Sequence, residues 1–193
     1  MTELGLSTVR SALGARDARE LPEHDKWAAV AMLLRETSAG PEVFFIRRAE
    51  HPRDPWSGHM AFPGGRRHSE DPSLLDTAIR ETQEEVGLDL RTEAEHIGQL
   101  DDLQAIARGK PQETVIRPFV FEVHREVPIR ADDREVAEAL WTPLSPLYLG
   151  QADTTRPYQW HGTQIDFPAY DVDGRVVWGL TYQMLRSFFR ILG

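Results

Sequence analysis

Glu81, Glu84 and Glu85 stand close together in a stretch with helical periodicity. Side chains three or four positions apart share one face of a helix, so these carboxylates would project from nearly one side. Each like-charged pair at that spacing costs about a few tenths of a kcal/mol. A divalent cation among them would convert the repulsion into coordination by hard oxygen ligands. Arg80 adjoins the cluster and is placed to hold one carboxylate. Ahead of the helix, Phe62-Pro63-Gly64-Gly65 makes a turn in which glycine lets the backbone approach a metal or ligand closely, so carbonyl oxygens could join the set. A run of acids is more often a solvated face. The glycine turn beside this one shifts the balance toward metal-assisted chemistry.

Composition narrows which metal and which substrate. The chain has no cysteine, which removes disulfides, thiolate sites and thiol nucleophiles together and leaves oxygen-preferring ions as candidates. A net charge of -9 argues against general nucleic-acid binding, which needs a basic footprint. An acidic enzyme for phosphate substrates then needs metal ions or local arginines. No apolar run approaches the roughly 20 residues of a membrane helix, and the N-terminus lacks a basic segment followed by an apolar core, so a cytoplasmic location away from membranes is expected. At 193 residues, 40% hydrophobic and 27% charged, a single globular domain over 1–193 is expected.

The elements that must position the cluster are partly readable. Leu4, Leu6, Val9 and Leu13 follow a weak helical pattern with Ser7 as a cap. Ala28–Leu34 and Val43–Ile46 read as two strands joined by a turn, followed by a loop from His51 to Gly65. Leu74, Leu75, Ala78, Ile79 and Val86 recur at helical spacing, with Asp71 as N-cap and Gly87 as the C-terminal stop. Beyond it come a strand at Ile97–Leu100, a polar loop at Ala105–Glu113 and a β-rich run at Thr114–Val123. Glu135–Ala139 reads as a short helix or bulge, Leu140–Pro143 as a strand and Tyr182–Leu192 as an amphipathic closing helix. Phe119, Phe121, Trp141, Phe188 and Phe189 read as core. The class is α/β of the α+β type, a mixed β-sheet between helices.

The segment from Gly65 to Leu88 resembles the Nudix box, G-x5-E-x7-R-E-U-x-E-E-x-G-U with U aliphatic. Arg80, Glu81, Glu84, Glu85, Gly87 and Leu88 fall on its second half. In the first half Gly65 to Arg80 is one residue longer than the pattern, Glu70 comes one residue early, and Thr82 stands at an aliphatic position. The resemblance implies the Nudix fold, a mixed sheet sandwiched between helices, and Mg²⁺- or Mn²⁺-assisted attack of water on a nucleoside diphosphate derivative. Glu81, Glu84, Glu85 and the carbonyl of Gly64 or Gly65 would be metal ligands. Arg80 would orient a glutamate, and Glu84 could instead be the catalytic base.

Upstream, Arg48-Ala49, Arg53, Gly58 and Phe62-Pro63-Gly64-Gly65 are similar to the signature of the coenzyme A pyrophosphatase branch, with Ile46 in place of a hydroxyl residue and one extra residue between Arg53 and Gly58. This implies coenzyme A or its thioesters as substrate, with Arg48, Arg53, Gly64 and Gly65 in substrate binding. Arginine forks suit phosphate groups; ion pairing of both arginines with surface acids is the plainer reading. Trp56 is a candidate for stacking on adenine or for loop packing. Glu113 is a further candidate for a base or ligand, more at home as a solvated loop residue, whereas Glu135 and Glu138 precede Leu140-Trp141-Thr142-Pro143-Leu144, which resembles the stretch near the end of many Nudix domains where a distal glutamate reaches the metals, with Glu135 the favoured one. Hydrolysis of ADP-ribose, a dinucleotide or a nucleoside triphosphate is the alternative activity, and a non-catalytic nucleotide sensor the alternative class. Residues 27–145 carry the resemblance. Residues 1–26 and 146–193 read as peripheral helices or an extension, with 157–177 as a lid or homodimer surface.

Overall fold

The computed structural model describes residues 4–22, 24–52, 54, 56–107, 110–160 and 163–193. Helix α1 (Leu6–Gly14) precedes strands β1 (Lys26–Thr37), β2 (Gly40–Arg48), β3 (Met60–Ala61) and β4 (Gly64–Arg66). Helices α2 (Leu74–Val86) and α3 (Leu90–Glu93) lead to β5 (Ala94–Gln99), β6 (Leu103–Ala107), β7 (Lys110–Val123) and β8 (Val136–Pro143). Helix α4 (Leu144–Tyr148), strands β9 (Asp153–Trp160), β10 (Thr163–Val172) and β11 (Arg175–Trp178), and helix α5 (Gly179–Leu192) complete the chain.

The main sheet runs β3-β2-β1-β7-β5, with β4 also on β1, β6 on β7 and β8 on β2. Among the described residues β1 and β7 pair in parallel and the other pairings of this sheet are antiparallel. β1 is buried on both faces, which is why it reads as a continuous apolar run instead of an alternating one. Ala29, Ala31 and Leu33 pack on the side of α2 with Phe44, Phe121 and Val86. Met32 and Leu34 pack on the opposite side with Phe45, Leu185 and Phe188. A mixed sheet therefore lies between helical layers, as expected.

One edge of β1 is shared between two partners. Its far end pairs with β2 from Leu34↔Val43 to Thr37↔Gly40, and its near end with β4 at Ala28↔Arg66 and Val30↔Gly64. Between them the Ala31 N–H donates to the Pro63 carbonyl at 2.8 Å. The divergence of β2 from β1 thus admits the Pro63-Gly64-Gly65 segment into the sheet, directly against α2.

Several boundaries differ from the sequence reading. The α2 cap is Ser73, whose hydroxyl accepts from the Asp76 N–H, because the Asp71 carboxylate is engaged elsewhere; Gly87 ends the helix in the left-handed region as expected. α1 begins after Gly5 with no side-chain cap, so Ser7 does not serve. The span read as a polar loop at Ala105–Glu113 carries the β6–β7 pairing, with Ala105 buried and Ile106 exposed. Residues 136–143 form one strand against β2; of the two readings of Glu135–Ala139 the helix is absent and the bulge is present, the register shifting between the pairs Arg47↔Glu138 and Arg48↔Val136. Trp141 is only partly buried, covered on one face by the Arg35 guanidinium at 4.3 Å. The C-terminal part holds an antiparallel β9-β10-β11 sheet in addition to helices. Among the described residues no helix is long and apolar enough to cross a membrane.

Leu33 sits at the centre of this arrangement, fully buried against α2. Leu33→Ala is expected to lower unfolding stability by ~2–5 kcal/mol, read from urea denaturation, because the rigid sheet cannot collapse onto the void.

Candidate active site

Glu81 and Glu85 lie on the buried face of α2 beside Ala78 and Thr82. Thr82, the polar residue at an aliphatic position, donates its hydroxyl to the Ala78 carbonyl at 2.8 Å and so is tolerated there. Glu85, with 2% of its side chain exposed, accepts from the Gly64 N–H at 2.8 Å and has an Arg48 nitrogen 3.8 Å away. Burial raises the Glu85 carboxyl to about 8, the Gly64 bond and Arg48 opposing the shift and Glu81 and Glu135 adding to it. Glu81 is also raised, first by burial, with Arg80 opposing and Glu84 and Glu135 reinforcing.

The backbone is shaped around these carboxylates. A Cβ on Gly65 would stand 2.5 Å from the Glu81 carboxyl carbon, and one on Gly64 2.3 Å from the Ala29 carbonyl oxygen. Only glycine lets the turn come this close.

Arg80 ties the helix to the preceding loop. Its Nε and Nη2 donate to the two Asp71 oxygens, each at 2.9 Å, and its Nη1 donates to Glu81 and Glu84, also at 2.9 Å. Asp71 further accepts from the His68 N–H and the Thr77 hydroxyl. The Arg80 fork holds the Asp71 carboxyl well below the usual carboxylate range. Counted from Gly65, Asp71 occupies the position of the first glutamate of the Nudix box, while Glu70 is exposed beside it. Its signal in the sequence was that count.

A cavity of about 450 Å³ opens over this surface. Arg48, Gly64, Gly65, Glu81, Glu85 and Glu135 line one side, and Trp56, Met60, Trp178, Leu180 and Met184 are among the residues lining the rest. The Ala49 N–H donates to the Glu135 carbonyl at 2.8 Å, bringing Glu135 beside Arg48 despite the long sequence separation. Glu84 does not line the cavity; half exposed at 53%, it sits outside on the Arg80 guanidinium. Arg48 is already paired with Asp54 at 2.8 Å. The other arginine read as substrate-binding, Arg53, lies outside the described residues. Trp56 donates its indole N–H to the Ile106 carbonyl at 3.2 Å, so its edge is fixed. His59 packs on Trp178 with ring centroids 4.9 Å apart, and burial pushes its pKa down. Glu138 is drawn away by Arg47 and Arg175, and Glu113 pairs with Lys26. Glu135, Trp178, Leu180 and Met184 reach the cavity only through tertiary contacts.

A model of the NUDIX domain matches residues 25–162. The chain belongs to the Nudix hydrolase family. An uncharacterized Nudix hydrolase, NudL, of Yersinia enterocolitica is 30% identical over 152 residues, covering 76% of this chain and 71% of that protein. An uncharacterized Schizosaccharomyces pombe protein is 41% identical over 116 residues, or 59% of this chain, which spans only 35% of that protein's length. A MutT/nudix family protein from Enterococcus faecalis shares the fold at a TM-score of 0.54 and 18% identity, covering 97% of this chain and 70% of that one.

In this Nudix site the donors are carboxylates and backbone carbonyls, the set that suits hard cations. Among the described residues no three acidic or imidazole side chains already stand in a cation-binding cluster. The reason is visible in Arg80, whose guanidinium occupies Glu81 and Glu84. Two buried, mutually repelling carboxylates with raised pKa values still fit a cation, which would replace protons as their compensation.

Two outcomes follow for the metal-free protein. Asp71→Asn should cost ~1–3 kcal/mol in denaturant unfolding, since it leaves Arg80 and Thr77 without their charged acceptor. Glu85 binds its proton more tightly folded than unfolded, so its contribution declines as pH rises from the ordinary glutamate range to about 8. The melting temperature of the wild type relative to Glu85→Gln should therefore fall between pH 5 and pH 8 in buffers with chelator; a difference independent of pH would refute the assignment.

Proposed function

We propose that the protein hydrolyses the diphosphate bridge of coenzyme A or its thioesters. The observation that carries this reading is the placement of Glu81, Glu85, Glu135 and Arg48 around one cavity under the Gly64–Gly65 turn. Coenzyme A is favoured over other nucleoside diphosphate derivatives by the Arg48–Gly65 segment, with its similarity to the coenzyme A pyrophosphatase signature.

Glu81 and Glu85, the Gly65 carbonyl and Glu84 at the rim would hold Mg²⁺ or Mn²⁺. Bound there, the ion would offset the diphosphate charge and stabilise the leaving oxygen. Arg80, anchored on Asp71, keeps Glu81 and Glu84 oriented. Arg48 would exchange its Asp54 contact for a diphosphate oxygen, a charge-assisted bond that would fix the substrate over α2. Water adds to one phosphorus, the phosphorus–oxygen bond of the anhydride breaks, and the leaving phosphate departs with its electron pair. The products are a 3′,5′-phosphorylated adenosine and a phosphopantetheine. Glu84 would take the proton from the attacking water after leaving the Arg80 guanidinium on which it rests; Glu135, inside the cavity, is the competing base.

The test is turnover of coenzyme A, ADP-ribose, NADH, diadenosine polyphosphates and nucleoside triphosphates with Mg²⁺ or Mn²⁺, products read by chromatography. Coenzyme A should be cleaved best, and Glu84→Gln should lower kcat by about 10²–10⁴-fold. A comparable loss confined to Glu135→Gln would transfer the role of base, and preference for another panel member would discard coenzyme A.

A further inference from the structure

Beside the acidic cavity lies a second cleft of about 730 Å³. Lys26, Arg66, Arg67, His24 and His68 line it, a concentration of basic groups in a chain whose net charge is -9. Asp25 and Glu113 are its acidic members. The cleft is built by strand register: Ala28 pairs with Arg66, so Lys26, two residues earlier on β1, shares the face of the sheet that Arg66 occupies. The Arg67 N–H donates to the Trp27 carbonyl at 2.9 Å and carries the pairing one residue further. Lys26 is engaged by Glu113, and Arg67 donates to the Asp71 carbonyl at 3.3 Å. Arg66 is different: among the described residues its side chain has no ion pair or hydrogen bond, whereas Arg10, Arg35, Arg80 and Arg117 are all bonded to carboxylates. Arg66 and Thr114 line both this cleft and the acidic cavity, so the two spaces share a wall immediately after Gly65.

We propose that this cleft is the subsite for a phosphomonoester that the substrate carries outside its scissile diphosphate, with Arg66 as its principal contact. The inference deepens the hydrolase reading and rests on it for the identity of the diphosphate. A guanidinium fork beside an ammonium group matches a phosphomonoester, which carries nearly two charges at neutral pH and three acceptor oxygens. The patch is too small, and the rest of the chain too acidic, to hold a polyanion such as nucleic acid. Trp27 lines the same cleft, with the Arg117 guanidinium over its ring at 5.3 Å. A substrate spanning both spaces places its diphosphate over Glu81 and Glu85 and its separate phosphate on Arg66, which selects coenzyme A over its 3′-dephospho form and over ADP-ribose.

The experiment is calorimetric titration of adenosine 3′,5′-bisphosphate and of adenosine 5′-monophosphate into the full chain. The bisphosphate should bind roughly 10-fold or more tightly, the size of one charge-assisted hydrogen bond. Arg66→Ala should bring the two affinities together, and Glu113→Gln, which removes an acid from the cleft, should strengthen the bisphosphate alone. Equal affinities in the wild type, or no binding of either ligand, overturn the proposal. So does selectivity unchanged in an Arg66→Ala protein of wild-type melting temperature; if that variant does not fold, an unaltered bisphosphate affinity in Glu113→Gln decides against it. Hydrolysis of coenzyme A without bisphosphate selectivity sinks the subsite alone, and selectivity without coenzyme A turnover sinks the substrate assignment alone.

Discussion

A carboxylate withdrawn from water must be compensated, and the burial of Glu85 against the Gly64 N–H is the constraint around which this molecule is arranged. It requires a backbone that can approach the helix closely, hence Gly64 and Gly65, and a sheet whose edge opens to admit them, hence the divergence of β2 from β1. It also requires cations at measured distances. Arg48 reaches Glu85 from the β2 side, and Arg80 reaches Glu81 from within the helix. Neither neutralises the pair, because burial still dominates and raises both carboxyls. The site is thus kept acidic and under-compensated, the condition in which a divalent cation gains most.

The loop before α2 acts as the brace of this arrangement. Asp71 takes both arms of Arg80, the His68 N–H and the Thr77 hydroxyl, so one buried side chain fixes the loop, the helix start and the guanidinium that orients Glu81 and Glu84. Bidentate geometry of this kind gives orientation as well as energy. The role of N-cap then falls to Ser73, whose hydroxyl is free to accept from Asp76.

What was legible in the sequence was local. The period of Leu74, Ala78 and Val86 gave the helix, its stop at Gly87 and the shared face of Glu81 and Glu85, all consequences of one helical repeat. The buried runs of β1 and β2 were legible for the same reason. Asp71 was misread because a capping acid and a salt-bridged acid look alike before a helix, and only the count from Gly65 separates them. The β6–β7 pairing was missed because its residues alternate between Ala105 inside and Ile106 outside amid polar neighbours. Glu135, Trp178, Leu180 and Met184 enter the cavity through β2–β8 pairing and α5 packing, contacts between distant segments that no local pattern encodes. That Glu84 faces out onto Arg80 while Glu81 and Glu85 face in follows from packing against β4, not from spacing alone.

Glu81 and Glu85 are the proposed seat of a divalent cation. Thermal unfolding of the chelator-treated protein under increasing Mn²⁺ tests it most directly, since a ligand bound only by the folded state raises the melting temperature with its concentration. A saturable rise is expected in the wild type, abolished in Glu81→Gln and Glu85→Gln. No rise in the wild type, or the same rise in both variants, would contradict it.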